Sequence, residues 1–377
     1  MPESSLRFGI DVTALPPQPF GAANYIINLV QALLRVDTTN EYVIFAKPRH
    51  ASLFDATLAQ IVLSAFDSPL LRIVWEQTAL PILARQHRLD VLHSPHYTMP
   101  LAKPCRSVVT IHDLTFFLYP QMHLLYKRLF FRTMMRLATY HADALIAISH
   151  STRADMLKIL HASPDKIQVI HYGLASHFQP VSDTRVLDAF CQQYHLPHPF
   201  ILYVGNFEPR KNLPILVRAF ARLVHNGVPH SLVLAGTRGW NDNAIFTVIE
   251  ELGLKARILF PGYIPQSELP ILYSAADLFV YPSLYEGFGL PVLEAMACGV
   301  PVITSAVSSM PEVTGDAGIL IAPGDVDALA SAMLRVLTDR ALHATLVARG
   351  VARARMFSWE RTAQATLDVY TRVAQHQ

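Results

Sequence analysis

The chain reads as an α/β protein built from two doubly wound parallel sheets. Three observations predict this. Short apolar runs alternate with stretches of helical periodicity along most of the 377 residues. The alternation stops between residues 173 and 199, where Pro180, Pro197 and Pro199 fall, and then begins again. The length suits two domains at about 150 residues each. Two β-α-β series joined by a linker imply two parallel sheets, each covered by helices on both faces and facing each other across a cleft.

The elements follow in order. An apolar run gives a first strand over residues 6–12. A helix over 21–34 comes next, because Tyr25, Ile26, Leu29, Val30, Leu33 and Leu34 fall on overlapping faces. Strands are predicted over 42–46, 91–93, 107–112 and 144–149. Several end in polar residues, as strands do when their carboxyl ends open onto a site. A helix over 151–160 and a strand over 167–171 complete the first series. In the second, strands are predicted over 200–205, 231–236, 258–261, 278–282, 300–304 and 319–321. Helices are predicted over 212–224, 244–252, 268–274, 291–299, 326–337 and 341–357, with Asn212 and Ser267 as N-caps. The domains are therefore 1–180 and 198–357, and a last helix within 358–377 packs back on the first domain.

Composition narrows the function. Hydrophobic residues make up 51% and charged residues 16%, so the chain is not disordered. The 31 basic and 29 acidic residues leave a net charge of +2, which gives no reason to expect nucleic acid as a partner. The 17 histidines would make the protein strongly cationic on acidification. Cys105, Cys191 and Cys298 are far apart, so neither a disulfide framework nor a cysteine zinc site is expected, and a reducing compartment fits. No stretch reads as a signal peptide or a membrane span, and a cytoplasmic protein is expected.

Chemistry concentrates in two strand-loop-helix segments. The first is Tyr281-Pro-Ser-Leu-Tyr-Glu-Gly-Phe-Gly-Leu-Pro-Val-Leu-Glu294. Gly287 and Gly289 before a helix start let backbone N–H groups approach an anion, where the helix dipole favours negative charge. Glu286 at the loop mouth and Glu294 in the helix could each accept hydrogen bonds from adjacent hydroxyls. Two such groups beside a phosphate-friendly helix suit a diphosphate with hydroxyls at both ends. The alternative is that Glu286 caps the helix and Glu294 is a solvated charge. The second segment is Tyr203-Val-Gly-Asn-Phe-Glu-Pro-Arg-Lys-Asn212. Arg210 and Lys211 stand at a predicted helix N-terminus, where the dipole disfavours cations, and a phosphate would offset the mismatch. The alternative is two solvated loop residues.

Together these segments resemble the donor-binding domain of the retaining glycosyltransferases of family 4, which have the GT-B fold of two Rossmann-like domains. Glu286 and Glu294 match the family's Glu-x7-Glu signature, and Gly205 to Asn212 resembles its diphosphate-binding loop. Val302-Ile-Thr-Ser-Ala-Val-Ser-Ser-Met-Pro-Glu312 and Gly262-Tyr-Ile-Pro-Gln-Ser-Glu268 are also similar to that family. The match is dense over roughly residues 198–325. In the first half, Thr110-Ile-His-Asp-Leu114 matches the family's His-Asp after a strand. The first strand-helix loop reads Gly21-Ala-Ala-Asn-Tyr25, with Ala23 and Asn24 where the family has a second glycine and an arginine. Trp75-Glu-Gln-Thr-Ala-Leu-Pro81 and Asp90-Val-Leu-His-Ser-Pro95 are similar to a bacterial subgroup that includes mannosyltransferases of surface-polysaccharide synthesis.

The resemblance implies transfer of a hexose, mannose first and from GDP-mannose, to a glycan or lipid-linked acceptor held by the first domain. A UDP-glucose or other UDP-sugar donor stays open. No metal or other cofactor is implied. His112, Arg210, Lys211 and Glu286 are the implied catalytic residues. The implied donor-binding residues are Gly21, Gly205, Tyr263, Gly287, Phe288, Gly289, Leu290 and Glu294. Glu294 would hold the ribose and Glu286 the donor sugar.

Other functions are compatible with parts of the sequence. A dinucleotide-dependent oxidoreductase needs G-x-G-x-x-G after the first strand, which is absent. A pyridoxal-dependent phosphorylase has no distinct lysine motif here. A non-catalytic sugar-nucleotide-binding protein on the same fold stays open. His93 and His96 have metal-like spacing, but Pro95 intervenes and no third ligand is evident. Residues 125–140, if helical, line up Arg128, Arg132 and Arg136 with Phe131 and Met135 beside them, leaving Leu129, Thr133, Met134 and Leu137 for the core. Such a face could make a peripheral contact with anionic lipid, or could be a solvated helix whose arginines cover apolar surface.

Overall fold

The structure is a computed structural model, and it describes residues 5–17, 21–64, 66, 68–239 and 243–375. The chain divides into two compact units, the first Met1–Gly173 with Ser358–Gln377 and the second Leu174–Phe357.

The first unit holds β1 (Arg7–Asp11), α1 (Ala22–Val36), β2 (Glu41–Ala46), β3 (Gln60–Leu63), α2 (Pro69–Gln86), β4 (Val91–Ser94), β5 (Arg106–Ile111), α3 (Thr115–Leu118), α4 (Leu125–His141), β6 (Ala144–Ala147), α5 (His150–Ile159) and β7 (Ile167–Val169). Its strands pair in parallel in the order β3-β2-β1-β4-β5-β6-β7. The inner strands are mostly apolar because helices cover both faces; Phe8, Ile10, Ile44, Phe45, Val108 and Leu145 are fully buried. The order reverses between β1 and β4, so the carboxyl ends of these two strands form the switch point of the first sheet.

The second unit holds α6 (Thr184–Gln193), β8 (Phe200–Val204), α7 (Leu213–His225), β9 (Ser231–Ala235), α8 (Asn243–Glu251), β10 (Ile258–Gly262), α9 (Leu269–Ser274), β11 (Leu278–Tyr281), α10 (Leu290–Ala297), β12 (Val302–Ser305), α11 (Met310–Thr314), β13 (Ile319–Ile321), α12 (Val326–Thr338) and α13 (Arg340–Ala354). The parallel sheet runs β10-β9-β8-β11-β12-β13, with the reversal between β8 and β11. The chain then returns to the first unit as α14 (Trp359–Gln375), which packs against α1. Tyr370 on α14 is fully buried, 5.0 Å from the Phe8 ring, and its hydroxyl meets His93 Nδ1 at 2.6 Å.

Several expectations need correction. The chain leaves the first unit at Gly173, seven residues short of position 180. A side chain at Gly173 would collide with the Trp359 backbone, the nearest atom lying 2.3 Å from an added Cβ. The segment read as linker contains α6, whose Asp183 cap accepts from Arg185 N. Neither β3 nor α2 was expected. Ser149, expected in a strand, caps α5 through Thr152 N. Asn212 does not cap α7 with its side chain: it is left-handed at φ 57° and donates to the Pro323 carbonyl at 2.8 Å. Ser267 is not the cap of α9, whose N-cap position is Glu268.

The face of α4 is rotated from the expected one. Phe131 stacks on Phe116 at 4.5 Å and Met135 is fully buried, so these residues with Met134 and Ala138 face the core. Leu129 and Thr133, expected inside, are exposed. Arg132 is drawn back to the Phe116 carbonyl at 2.7 Å. No helix among the described residues is long and apolar enough to cross a membrane.

Candidate functional site

The reversal between β8 and β11 brings two loops together at the carboxyl edge of the second sheet. Open α/β sheets bind their ligands at such a point. The loop after β8 makes a single 3-10 turn, Pro209–Lys211, so Arg210 and Lys211 precede α7 rather than beginning it. Leu284 N donates to the Arg210 carbonyl and Arg210 Nη1 donates to the Tyr285 carbonyl, both at 2.8 Å, tying the two loops.

Glu286 is the centre of the cluster. Lys211 Nζ lies 2.6 Å from Oε1 and Arg210 Nη1 lies 2.7 Å from Oε2. Ser283 Oγ also donates to Oε1 at 2.6 Å, and Ser308 Oγ accepts from Glu286 N at 2.9 Å. Ser309 Oγ holds the loop through the Glu286 and Phe288 carbonyls. Burial alone would raise the Glu286 pKa, but Arg210 and Lys211 outweigh it and hold it at about 2. Burial and the neighbouring Arg210 lower the Lys211 pKa, with Glu286 opposing them. Arg210 is held charged, burial being overcome by Glu286, Tyr281 and Glu208. Lys211 Nζ further donates to the Tyr281 hydroxyl at 2.6 Å. Two cations thus converge on one buried carboxylate, with Glu208 more exposed behind Arg210.

The helix that follows supplies donors and a second carboxylate. Gly289 is the N-cap of α10 at φ 107°, a conformation that suits glycine. Among the described residues, the N–H groups of Gly289 and Leu290 find no acceptor, and no side chain caps the helix. Glu294 lies one turn further on and is buried. The Tyr273 hydroxyl donates to its Oε2 at 2.9 Å, and Oε1 has no partner among the described residues. Burial pushes its pKa up to about 7, with the Tyr273 hydrogen bond opposing. Glu286 therefore does not cap the helix, and Glu294 is not a solvated charge but a buried acceptor with one oxygen open to a hydroxyl donor.

Not every residue named from the sequence joins this cluster. Gly205 follows β8, with its N–H on the Ala235 carbonyl. Gly287 lies within the Glu286 loop, and Leu290 is half-buried. The Phe288 ring is buried against Phe357 at 5.8 Å, so its side chain is core. Tyr263 is exposed beyond β10, two strands from β8, and makes none of the cluster's hydrogen bonds. Ser283, Ser308, Ser309, Tyr273 and Tyr281 were not named as site residues, although all but Tyr273 lie inside the quoted segments. Asp325 and Asp327 form the spacing of a metal-binding pair, but Asp325 caps α12 through Ala328 N and Asp327 pairs with Arg222.

In the first unit, Gly21 is the exposed N-cap position of α1 at φ 55°. His112 follows β5 and is buried. Its Nε2 meets the Pro95 carbonyl at 2.8 Å and must carry the proton, so Nδ1 accepts from the Tyr172 hydroxyl at 2.5 Å. Burial pushes its pKa down to about 4, with Pro95 and Asp113 opposing. His93 and His96 are pushed to about 3 by burial and by His112. His93 is engaged at both nitrogens, by Tyr370 and Thr110, and His96 stacks on Phe131.

Both units match models of known protein families. Residues 192–353 match the model for glycosyl transferases group 1, and residues 20–176 match that for Glycosyltransferase Family 4. The O-antigen chain mannosyltransferase B of Escherichia coli is 36% identical over 288 residues, which is 76% of this chain and 75% of that protein. The chain belongs to glycosyltransferase family 4. The transferase is thus an enzyme of a retaining, metal-independent class with the GT-B fold. Sucrose-phosphate synthase from Thermosynechococcus elongatus matches it with a TM-score of 0.78 at 24% identity, covering 98% of this chain and 99% of that one. Anabaena HepE in complex with UDP-glucose matches with a TM-score of 0.77 at 20% identity, covering 97% and 100%. These likenesses support the fold of the transferase over its whole length.

Proposed function

We propose that this transferase moves mannose from GDP-mannose to a glycan or lipid-linked acceptor during surface-polysaccharide synthesis in the cytoplasm. The observation that carries the donor site is the pair Arg210 and Lys211 converging on Glu286, beside the open oxygen of Glu294. The leaving group is a diphosphate, whose departure is limited by charge. Arg210, Lys211 and the N–H groups of Gly289 and Leu290 would take up that charge. Glu286 holds the two cations and meets the donor sugar's hydroxyls, while Glu294 accepts from the ribose. A same-face displacement, in which the donor phosphate takes the acceptor's proton, suits a His112 already satisfied at both nitrogens. His112 then positions the sugar rather than removing a proton.

Mannose is favoured by the relative named for mannosyl transfer. A UDP-sugar donor is favoured by the UDP-glucose complex of the structural neighbour. Titration with GDP-mannose and UDP-glucose separates the two, and turnover with a mannose-terminated glycan then tests the transfer itself.

The first unit would take the acceptor and touch the membrane. Helix α4 turns Leu125, Tyr126 and Leu129 outward beside Lys127 and Arg136, and no acidic residue falls between Asp113 and Asp143. Apolar side chains among cations suit an anionic lipid surface. Sedimentation with anionic vesicles at low salt should retain the protein, and the L125E/L129E variant should release it. Equal retention of the two would remove α4 from this role.

A further inference from the structure

The Trp75-Glu76-Gln77 segment has no part in the donor chemistry, yet it builds a buried polar cluster at the other switch point. Trp75 anchors α2, 6.2 Å from Phe45 and 5.4 Å from Phe66. Gln77 bridges to the loop after β4, donating to the Met99 carbonyl at 2.9 Å and accepting from Leu101 N at 3.0 Å. Glu76 is fully buried. It takes Arg72 Nη2 and Thr98 Oγ1 on Oε2, both at 2.6 Å, and Gln77 Nε2 on Oε1 at 2.9 Å. Arg72 Nη2 also reaches Asp11 Oδ2 at 3.5 Å, and its Nε reaches Thr13 Oγ1 at 3.3 Å. Asp11 ends β1, Thr13 lies just beyond it, and Thr98 follows β4. These are the adjacent strands at which the first sheet reverses.

Two features of this cluster have a chemical meaning. The first is a spare donor. Arg72 Nη1 makes no hydrogen bond to any described residue, and the side chain is 13% exposed. The rest of the guanidinium is fixed by four partners, so Nη1 is presented in a set direction. The second is charge. One cation faces two buried carboxylates. Burial raises the Glu76 pKa, with Arg72 opposing and Asp11 adding to the rise. The cluster therefore sets two acidic side chains against one basic one. It is the inverse of the donor cluster, where two cations share one buried carboxylate.

We propose that Arg72 donates through Nη1 to an uncharged oxygen of the acceptor, with Glu76 as its positioning residue, so that this edge selects a neutral sugar over a phosphate-bearing one. The inference rests on the function proposed above and names its acceptor chemistry. A guanidinium neutralised by two carboxylates keeps its directional hydrogen bond but loses its attraction for an anion.

The test uses the full chain, its R72K and E76Q variants, and two probes: an α-mannosyl disaccharide with a neutral alkyl group at its reducing end, and the same compound phosphorylated at the terminal 6-position. The donor is GDP-mannose, or UDP-glucose if that is the one the wild type hydrolyses. Lysine can keep the pair with Glu76 but has no second nitrogen for the acceptor, so R72K removes the proposed contact without leaving Glu76 unpaired. Hydrolysis of the donor without acceptor reads the second unit alone and separates a failure of the donor site from a failure of this inference. R72K should raise the acceptor KM at least tenfold, with kcat and donor hydrolysis within twofold of wild type. E76Q should move the same KM in the same direction by less. The wild type should prefer the neutral probe at least tenfold in kcat/KM. An unchanged acceptor KM in R72K, a preference for the phosphorylated probe, or a loss of donor hydrolysis parallel to the KM change would each overturn the proposal.

Discussion

Lys211 is buried between the Glu286 carboxylate and the Tyr281 hydroxyl, and its removal should separate catalysis from folding. In K211A, Glu286 keeps Arg210 and Ser283, so stability should fall by only about 1–3 kcal/mol. Turnover should drop by roughly 10²–10³, the usual cost of one well-placed donor to developing charge. Denaturant melts and single-turnover rates read the two quantities. Unchanged turnover would remove Lys211 from the proposed role. Glu294 makes a second residue-scale prediction. Its pKa of about 7 exceeds the ordinary 4.5, so below pH 7 most of the free protein carries it protonated. An acceptor of two ribose hydroxyls works best ionised, so donor affinity should rise as pH rises through about 7, with release of up to one proton on binding below it. Calorimetry in buffers of different ionisation enthalpy measures that proton, and E294Q should abolish it. The same proton release in E294Q would contradict the assignment.

At the scale of elements, the start of α10 depends on Gly289. Its φ of 107° strains any side chain, and an added Cβ would lie 2.1 Å from Met310 Cε. G289A should therefore cost about 1–3 kcal/mol and also weaken the donor, because it tilts the free N–H groups of the first turn. Thermal melts with and without nucleotide sugar would show both effects, and a wild-type ligand shift in G289A would argue against those groups. Strands and helices that bury an apolar face were legible from sequence, as with β8, α7, β11 and α10. Helix α2 was not, because it turns Leu70, Leu71, Val74 and Ile82 to the surface and carries Pro81 inside, so no clean apolar stripe marks it. The α4 face is hidden in the sequence for a related reason: Leu129 is exposed while Phe131 packs inward, and hydrophobicity alone does not rank the two. The carboxylates and cations of the donor cluster were legible from their spacing around two strand ends. Their serine partners were not, because Ser308 and Ser309 reach Glu286 from a loop 22 and 23 residues away.

On the scale of the whole molecule, the two units should respond differently to acid. His93, His96 and His112 in the first unit are pushed from the usual 6.5 to between about 3 and 4. Unfolding lets them take up protons, so their share of stability is whole above pH 6.5 and is lost as pH falls towards 3. In the second unit, Glu286 contributes fully above its ordinary 4.5 and loses that share only as pH falls towards 2. Glu294, shifted upward, acts in the opposite sense and favours the folded unit below its folded pKa of about 7. Hydrogen exchange across an acid titration should therefore show the first unit losing protection before the second, and the reverse order would contradict these assignments. The central claim is that the second unit binds a nucleotide sugar through Arg210, Lys211 and Glu294 without a metal. Its most direct test is the melting temperature with GDP-mannose and UDP-glucose, each with EDTA, in the wild type and K211A. At about 100 times Kd the ligand should add roughly 2.7 kcal/mol, visible as a clear upward shift. The account predicts that shift in EDTA for one nucleotide class, and its loss in K211A. A shift that needs a divalent metal, or one that K211A retains in full, would contradict it.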